Sequence, residues 1–193
     1  PEDASDWRQN LKESGGGPLV FDDGHHKFAL AWFFMGQAEE IHAWINHTKT
    51  SDNFIFDAPS IISFKFSEQR IGNLEIVYSP NLKIMTKHYA QDDRIELTGT
   101  EGVLWINHGH GSLGETPPLV LYKDGQYKYW NNIQRGWEHS FINSTRHFID
   151  CLLSDKKPLL SCEQGKEILQ MSLAAEISSK DGVSIKISDS RLN

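Results

Sequence analysis

The hydrophobic pattern changes period twice along the chain. From Phe28 to Met35 nearly every residue is apolar or a good helix former, and Gly36 supplies a stop. This predicts a largely buried helix covering at least residues 23–35. From residue 38 to about 131 the period is two. Ile62, Phe64 and Phe66 alternate with Ser63 and Lys65; Leu74, Ile76 and Tyr78 alternate with Glu75 and Val77; Ile95 and Leu97 alternate with Glu96 and Thr98. Such alternation predicts half-buried strands. Asp124-Gly125, between Leu119–Lys123 and Gln126–Trp130, is the strongest hairpin signal, because a type I′ turn needs positive φ at both central residues. After Gly136 the helical period returns. Trp137, Phe141, Phe148, Ile149 and Leu152 share one helix face, which Asp155 and Lys156–Lys157–Pro158 bring to an end. Glu163 to Ser179 predicts another helix, with Ile168, Leu169, Leu173, Ala175 and Ile177 inward and Gly182 as its stop. Val183–Ile187 closes the chain as a short strand. The expected fold is α+β: a large, mostly antiparallel (mixed) open sheet with helices packed on one face.

Composition narrows the class. At 193 residues the chain can form one domain with a real core, and the expectation is a single domain over 1–193. A net charge of −7 argues against a nucleic-acid partner, which needs a cationic footprint. No apolar run is long enough to cross a bilayer, so no membrane partner is expected. The two cysteines, Cys151 and Cys162, read as reduced thiols in packed surroundings, which fits a cytoplasmic location.

Candidate chemistry concentrates near the N-terminus. Gly15–Gly16–Gly17 favours no regular element, so the backbone there is loose or shaped for a close approach. Asp22 and His26 follow, four residues apart. If the helix includes Asp22, the two lie one turn apart on the same face; if it does not, Asp22 can cap the helix beside the ring. Either way a carboxylate next to an imidazole raises its pKa and orients it, and such an imidazole can move a proton near neutral pH. Spacing alone leaves open a plain cap and a satisfied helix histidine. His25 points about 100° away on a helix, and Asp23 reads as a solvated neighbour. Arg8 and Lys12 precede the glycines and could reach a substrate hydroxyl or carboxylate. Asn107-His108-Gly109-His110 has the look of a metal half-site without a carboxylate or cysteine partner, and reads as an exposed loop; no metal is expected. His42 and His47 read as solvent-facing. Tyr129, Trp130 and Trp137 could stack on a sugar ring, with packing as the default.

Three stretches carry a family resemblance. Ser14-Gly15-Gly16-Gly17-Pro18-Leu19-Val20-Phe21-Asp22-Asp23-Gly24-His25-His26 resembles the opening of the C-terminal domain of the glucose–fructose oxidoreductase / inositol dehydrogenase (Gfo/Idh/MocA) family: a glycine triplet, a short apolar stretch, then Asp-x-Gly-x-His, with one extra residue here before Asp22. Arg94–Leu104 is similar to the family's strand-turn-strand around Gly-Thr-x-Gly, and Phe141 through Glu163-Gln164-Gly165 to Ser178–Ser179 to its closing helix pair. The resemblance implies the dihydrodipicolinate-reductase-like C-terminal architecture. It further implies a substrate-binding and catalytic half of an NAD- or NADP-dependent oxidoreductase acting on a polyhydroxylated compound. It assigns His26 as acid/base and Asp22 as its partner, with Arg8, Lys12 and His25 on the substrate side and Gly16 and Gly17 near the cofactor. The family's Gly-x-Gly-x-x-Gly turn and its Glu-Lys-Pro segment, which supplies a catalytic lysine, are not among these 193 residues. The expectation is therefore that the N-terminal dinucleotide-binding domain is absent from this chain, and that the chain is inactive alone. A homodimer or tetramer through the open sheet face is expected. The alternatives are a non-catalytic oligomerisation or binding module of the same fold, and a metal-dependent enzyme using Asp22, His26 and His108 or His110.

Overall fold

A computed structural model describes residues 11–49, 55–86, 91–109 and 111–193. Its elements open with α1 (Leu11–Ser14), a π-helical turn (Pro18–Asp22) and α2 (Gly24–Met35). Five strands follow: β1 (Glu40–Ile45), β2 (Thr48–Lys49), β3 (Ile55–Phe56), β4 (Ser60–Lys65) and β5 (Ile71–Ile76). Next come β6 (Ile95–Thr98), β7 (Gly102–Ile106), β8 (Leu119–Lys123) and β9 (Gln126–Trp130). The chain closes with α3 (Trp137–Leu153), α4 (Cys162–Asp181), β10 (Ile185–Lys186) and a 3₁₀ turn (Ser190–Leu192). The chain divides into two compact units, Pro1–Ser79 with Leu159–Asn193, and Pro80–Pro158. The α+β class and the antiparallel pairing are as expected. Among the described residues the strands form two four-stranded sheets, one in each unit, and a two-stranded ribbon, β2–β3.

In the first unit the sheet runs β10-β1-β4-β5, antiparallel throughout. Alternation decides its faces. Ile41 and Ala43 of β1 and Ile62 and Phe64 of β4 are buried against α2 and α4, while Trp44 and Ile61, register partners, are exposed on the other side. Val20, Phe28, Ile41, Ile62, Ile168 and Met171 are fully buried, each worth roughly 1.5–3 kcal/mol of transfer free energy. Phe28 meets Phe64 edge-on, with ring centroids 5.6 Å apart.

The inward side of α4 differs from the sequence expectation. Leu169 is exposed, and Ser172 and Ser178 are buried beside Ile168, Met171, Ala174 and Ala175. The reason is hydrogen bonding. The short β10 pairs with Glu40 and Ile41 and leaves the later amides of β1 on that edge uncovered. Ser178 Oγ accepts from the Ala43 amide at 3.0 Å and donates to the Val183 carbonyl at 2.7 Å, while Ser179 Oγ accepts from the Ile45 amide at 3.0 Å. Small hydroxyl residues thus let the helix lie close to the strand and satisfy its edge. Both ends of α4 are closed, by a Ser161–Gln164 capping box and by Gly182 in the left-handed region at φ 69°.

The second unit is a meander, β6-β7-β8-β9, followed by α3. Asp124 (φ 53°) and Gly125 (φ 75°) make the expected β8–β9 turn. Across the β6–β7 pair, Trp105 Nε1 donates to its register partner Glu96 at 2.8 Å. Tyr122, Tyr127 and Tyr129 form an exposed ladder, and Lys128 Nζ sits 4.8 Å from the Trp130 ring centre. The apolar stripe on one face of α3 is exposed at Phe141, Phe148, Ile149 and Leu152; Cys151 is the buried residue of this helix. Apolar periodicity fixes the helix and the side that needs cover, not what covers it. The cysteines are unbridged, Cys151 buried and Cys162, the first residue of α4, exposed. Among the described residues no helix is long and apolar enough to cross a membrane.

Candidate functional site

The glycine triplet leads into a helix start that has no local cap. Gly17 has extended backbone (φ −78°, ψ 162°) and offers no side chain to the following turn. Pro18 occupies the first helical position, where its missing N–H costs nothing. The next amides, on Leu19 and Val20, need acceptors. Asp57, immediately after β3, provides them: Oδ1 accepts from the Leu19 amide at 2.7 Å and Oδ2 from the Val20 amide at 2.6 Å. Asp57 is itself fully buried, with its backbone carbonyl accepting from Ser60 Oγ at 2.7 Å.

A second carboxyl group stands nearby. Glu176, on the inward part of α4, is pushed up to about 7 from an ordinary 4.5, first by burial and then by the negative charge of Asp57; the Gly17 amide pulls the other way. Its Oε1 is buried without a hydrogen-bond partner. These two acids explain two of the glycines. A Cβ on Gly17 would lie 2.1 Å from Asp57 Oδ2, and a Cβ on Gly16 would lie 2.8 Å from Glu176 Oε1 and 2.5 Å from Phe21 Cβ. Both glycines are buried, and their backbone lies where any side chain would strike a carboxyl group.

The turn then passes into α2 without a break. The amides of Phe21 and Asp22 both donate to the Gly17 carbonyl at 3.1 Å, Asp23 donates to the Pro18 carbonyl at 3.1 Å, and Asp23 has α-helical backbone (φ −70°, ψ −37°). Helical backbone therefore includes Asp22, which places it one turn before His26 on the same side. Asp22 is half-buried and His26 is exposed, so the side of the helix they share opens to solvent. Asp23, read from sequence as a solvated neighbour, pairs with Lys27 at 3.5 Å. His25 turns inward: its Nδ1 lies 3.5 Å from Ser172 Oγ of α4, and burial, then the neighbouring His26, lower its pKa.

The remaining expected residues are scattered. Arg8 and His110 lie outside the described residues; Lys12 falls in α1, of which the backbone is described. His108, at φ 67°, has its Nε2 against Thr116 within its own loop. His42 meets Trp44 edge-on, with ring centroids 4.3 Å apart, and lies 3.3 Å from Ser184 Oγ, so it is engaged at the sheet edge and not simply solvated; His47 is exposed. Trp137 packs edge-on against Phe141 at 4.7 Å. Among the described residues no three His, Cys, Asp or Glu side chains gather as a metal site would need. Sequence reasoning missed Asp57 and Glu176. The trace that could have found the first is the helix start at Gly17-Pro18, whose local sequence holds no Ser, Thr, Asp or Asn to cap it.

Residues 1–187 match the profile of the oxidoreductase family, C-terminal alpha/beta domain (GFO_IDH_MocA_C). The scyllo-inositol 2-dehydrogenase (NAD(+)) of Bacillus subtilis is 22% identical over 183 residues, covering 92% of this chain and 49% of that protein. An oxidoreductase from Agrobacterium radiobacter, solved with NAD+, L-tartaric acid and magnesium, superposes with a TM-score of 0.71 at 17% identity, covering 87% of this chain and 48% of that one. An aldose-aldose oxidoreductase from Caulobacter crescentus, solved with glycerol, gives the same TM-score at 17% identity, covering 95% of this chain and 51% of that one. The chain spans about half the length of these relatives.

Proposed function

Because the chain belongs to the Gfo/Idh/MocA oxidoreductase family as its C-terminal alpha/beta domain, we propose that it forms the substrate-binding and proton-transfer half of a nicotinamide-dependent dehydrogenase acting on a secondary alcohol of a sugar or polyol. Both units of the chain serve one substrate-binding and oligomerisation module in this reading. The observation that carries it is the placement of exposed His26 one helical turn beyond half-buried Asp22 on continuous helical backbone. The substrate class is supported by the relatives, one a scyllo-inositol 2-dehydrogenase and another an aldose-aldose oxidoreductase.

Oxidation of a CH–OH group releases a hydride from carbon and a proton from oxygen. The nicotinamide, NAD or NADP, supplies the hydride acceptor when bound. His26 takes the hydroxyl proton on a ring nitrogen, which its exposure to solvent allows it to pass on, and Asp22 stabilises the imidazolium and holds its orientation. His25 is turned toward Ser172, and burial, then the neighbouring His26, favour its neutral form. The described residues fit this proton-handling part and not a dinucleotide cradle. A pyrophosphate brought to Gly16 and Gly17 would face the carboxylate of Asp57 and the carboxyl of Glu176, which gains a negative charge as pH rises through about 7. The part we assign to these two glycines is thus to shape the turn from within, while the phosphates are held outside the described residues.

The test uses the full-length parent protein. His26→Ala and Asp22→Asn should each lower kcat roughly 10²–10⁴-fold while the affinity for the nicotinamide stays unchanged. Unchanged turnover in His26→Ala would refute the assignment.

A further inference from the structure

We propose that Asp57 and Glu176 are positioning residues of this site: a carboxyl pair, Asp57 fully and Glu176 partly buried, that grips the backbone of Gly16–Val20 and sets the direction in which Asp22 and His26 project. The inference rests on the function proposed above for Asp22 and His26. Asp57 holds the amides of Leu19 and Val20, and the π turn to which these residues belong runs from Pro18 to Asp22. A helical backbone transmits rotation at its first turn directly to its next, so a change of grip at Leu19 re-aims Asp22 and then His26. Both acids also lie against the backbone at Gly16 and Gly17, where the chain has no side chain to keep them away. The grip is therefore short-range and two-sided: Asp57 comes from the loop after β3, Glu176 from α4.

Glu176 also gives the grip a setting. Among the described residues Asp57 is the charged group that acts on it; the turn presents the backbone of Gly16 and Gly17, and α2 meets α4 one helical turn earlier, where His25 lies 3.5 Å from Ser172 Oγ. When Glu176 carries a proton, the pair holds one negative charge and the turn is seated. When it loses the proton near pH 7, two like charges face each other behind Gly16 and Gly17, and repulsion loosens the seat.

The experiment is an NMR titration of the isotope-labelled 193-residue chain from about pH 5 to about pH 9, following the Glu176 carboxyl carbon, the Leu19 and Val20 amides and the His26 ring. The Glu176 carboxyl should inflect near pH 7, and the two amides and the ring should report that midpoint. Glu176→Gln should remove that shared inflection from all of them. Asp57→Asn should raise hydrogen exchange at Leu19 and Val20 by roughly tenfold or more. His26 curves that are identical in the wild type and in Glu176→Gln would overturn the proposal, as would amides indifferent to Asp57→Asn. If Asp57→Asn does not fold, the Glu176→Gln comparison decides alone. The two readings fail separately. Normal turnover in His26→Ala with these couplings intact would sink the catalytic assignment, and slow turnover with the couplings missing would sink the positioning pair.

Discussion

Replacing Glu176 with glutamine should stabilise the protein, and by an amount that depends on pH. The side chain is the same size, so the fit against Gly16 is kept, and the amide can donate toward Asp57. What changes is the charge. In the unfolded chain the carboxyl ionises at its ordinary 4.5, and in the fold at about 7. Below the lower value it is neutral in both states and costs nothing. Between the two values the native state binds more protons than the unfolded state, so stability falls as pH rises, and above about 7 the full penalty is present. At about 1.4 kcal/mol per pH unit the penalty is roughly 3 kcal/mol, and the part of the side chain that still meets solvent reduces it to about 2–3 kcal/mol. For a protein of this length 1 kcal/mol moves Tm by about 2–4 °C. Glu176→Gln should therefore melt about 5–10 °C higher than the wild type at about pH 8, and at most about 3 °C higher at about pH 5. Thermal unfolding followed by circular dichroism at both pH values reads the difference. A shift of equal size at both, or one larger in acid, would show that the carboxyl is not held near-neutral against Asp57, and the reasoning would fail.

Two glycines should respond oppositely to alanine. Gly17→Ala drives a Cβ into Asp57, whose two backbone hydrogen bonds must then yield, at a cost of roughly 2–4 kcal/mol; Gly165→Ala, inside α4 with nothing within 4 Å of its new methyl, should gain up to about 1 kcal/mol. Denaturant titration separates them, and a neutral Gly17→Ala would contradict the close approach. We also propose that the exposed Trp44–Ile61 side of the first sheet is where two copies of the chain meet. Light scattering at micromolar concentration should give at least twice 22.0 kDa, and Trp44→Glu should return the monomer mass; a wild-type monomer would refute it.

What the sequence encodes locally, it displays. Asp124-Gly125 demanded positive φ and adopts it at both residues; Gly182 stops α4 in the left-handed region; Ile62 and Phe64 alternate inward as their period says. The spacing of Asp22 and His26 was legible too, although it left two geometries open, and it took the unbroken π-to-α backbone to choose between them. What stayed hidden depends on residues far apart in sequence. Periodicity put Leu169 inside and could not foresee that the later amides of β1 would need hydroxyl groups from Ser178 and Ser179. The glycines were the harder case. A run of them says that something comes close to the backbone, and a bound cofactor was the natural candidate. The fold supplies a neighbour from within the chain, because Leu19 and Val20 present two amides without a local acceptor and Asp57, distant in sequence, is folded back onto them. Once that carboxylate is buried there, a second acid beside it becomes hard to ionise, and Glu176 is the residue that α4 brings up. The functional pair therefore stands on a polar support whose members are chosen by tertiary structure, and a cap missing at Gly17 was its one sign in the sequence.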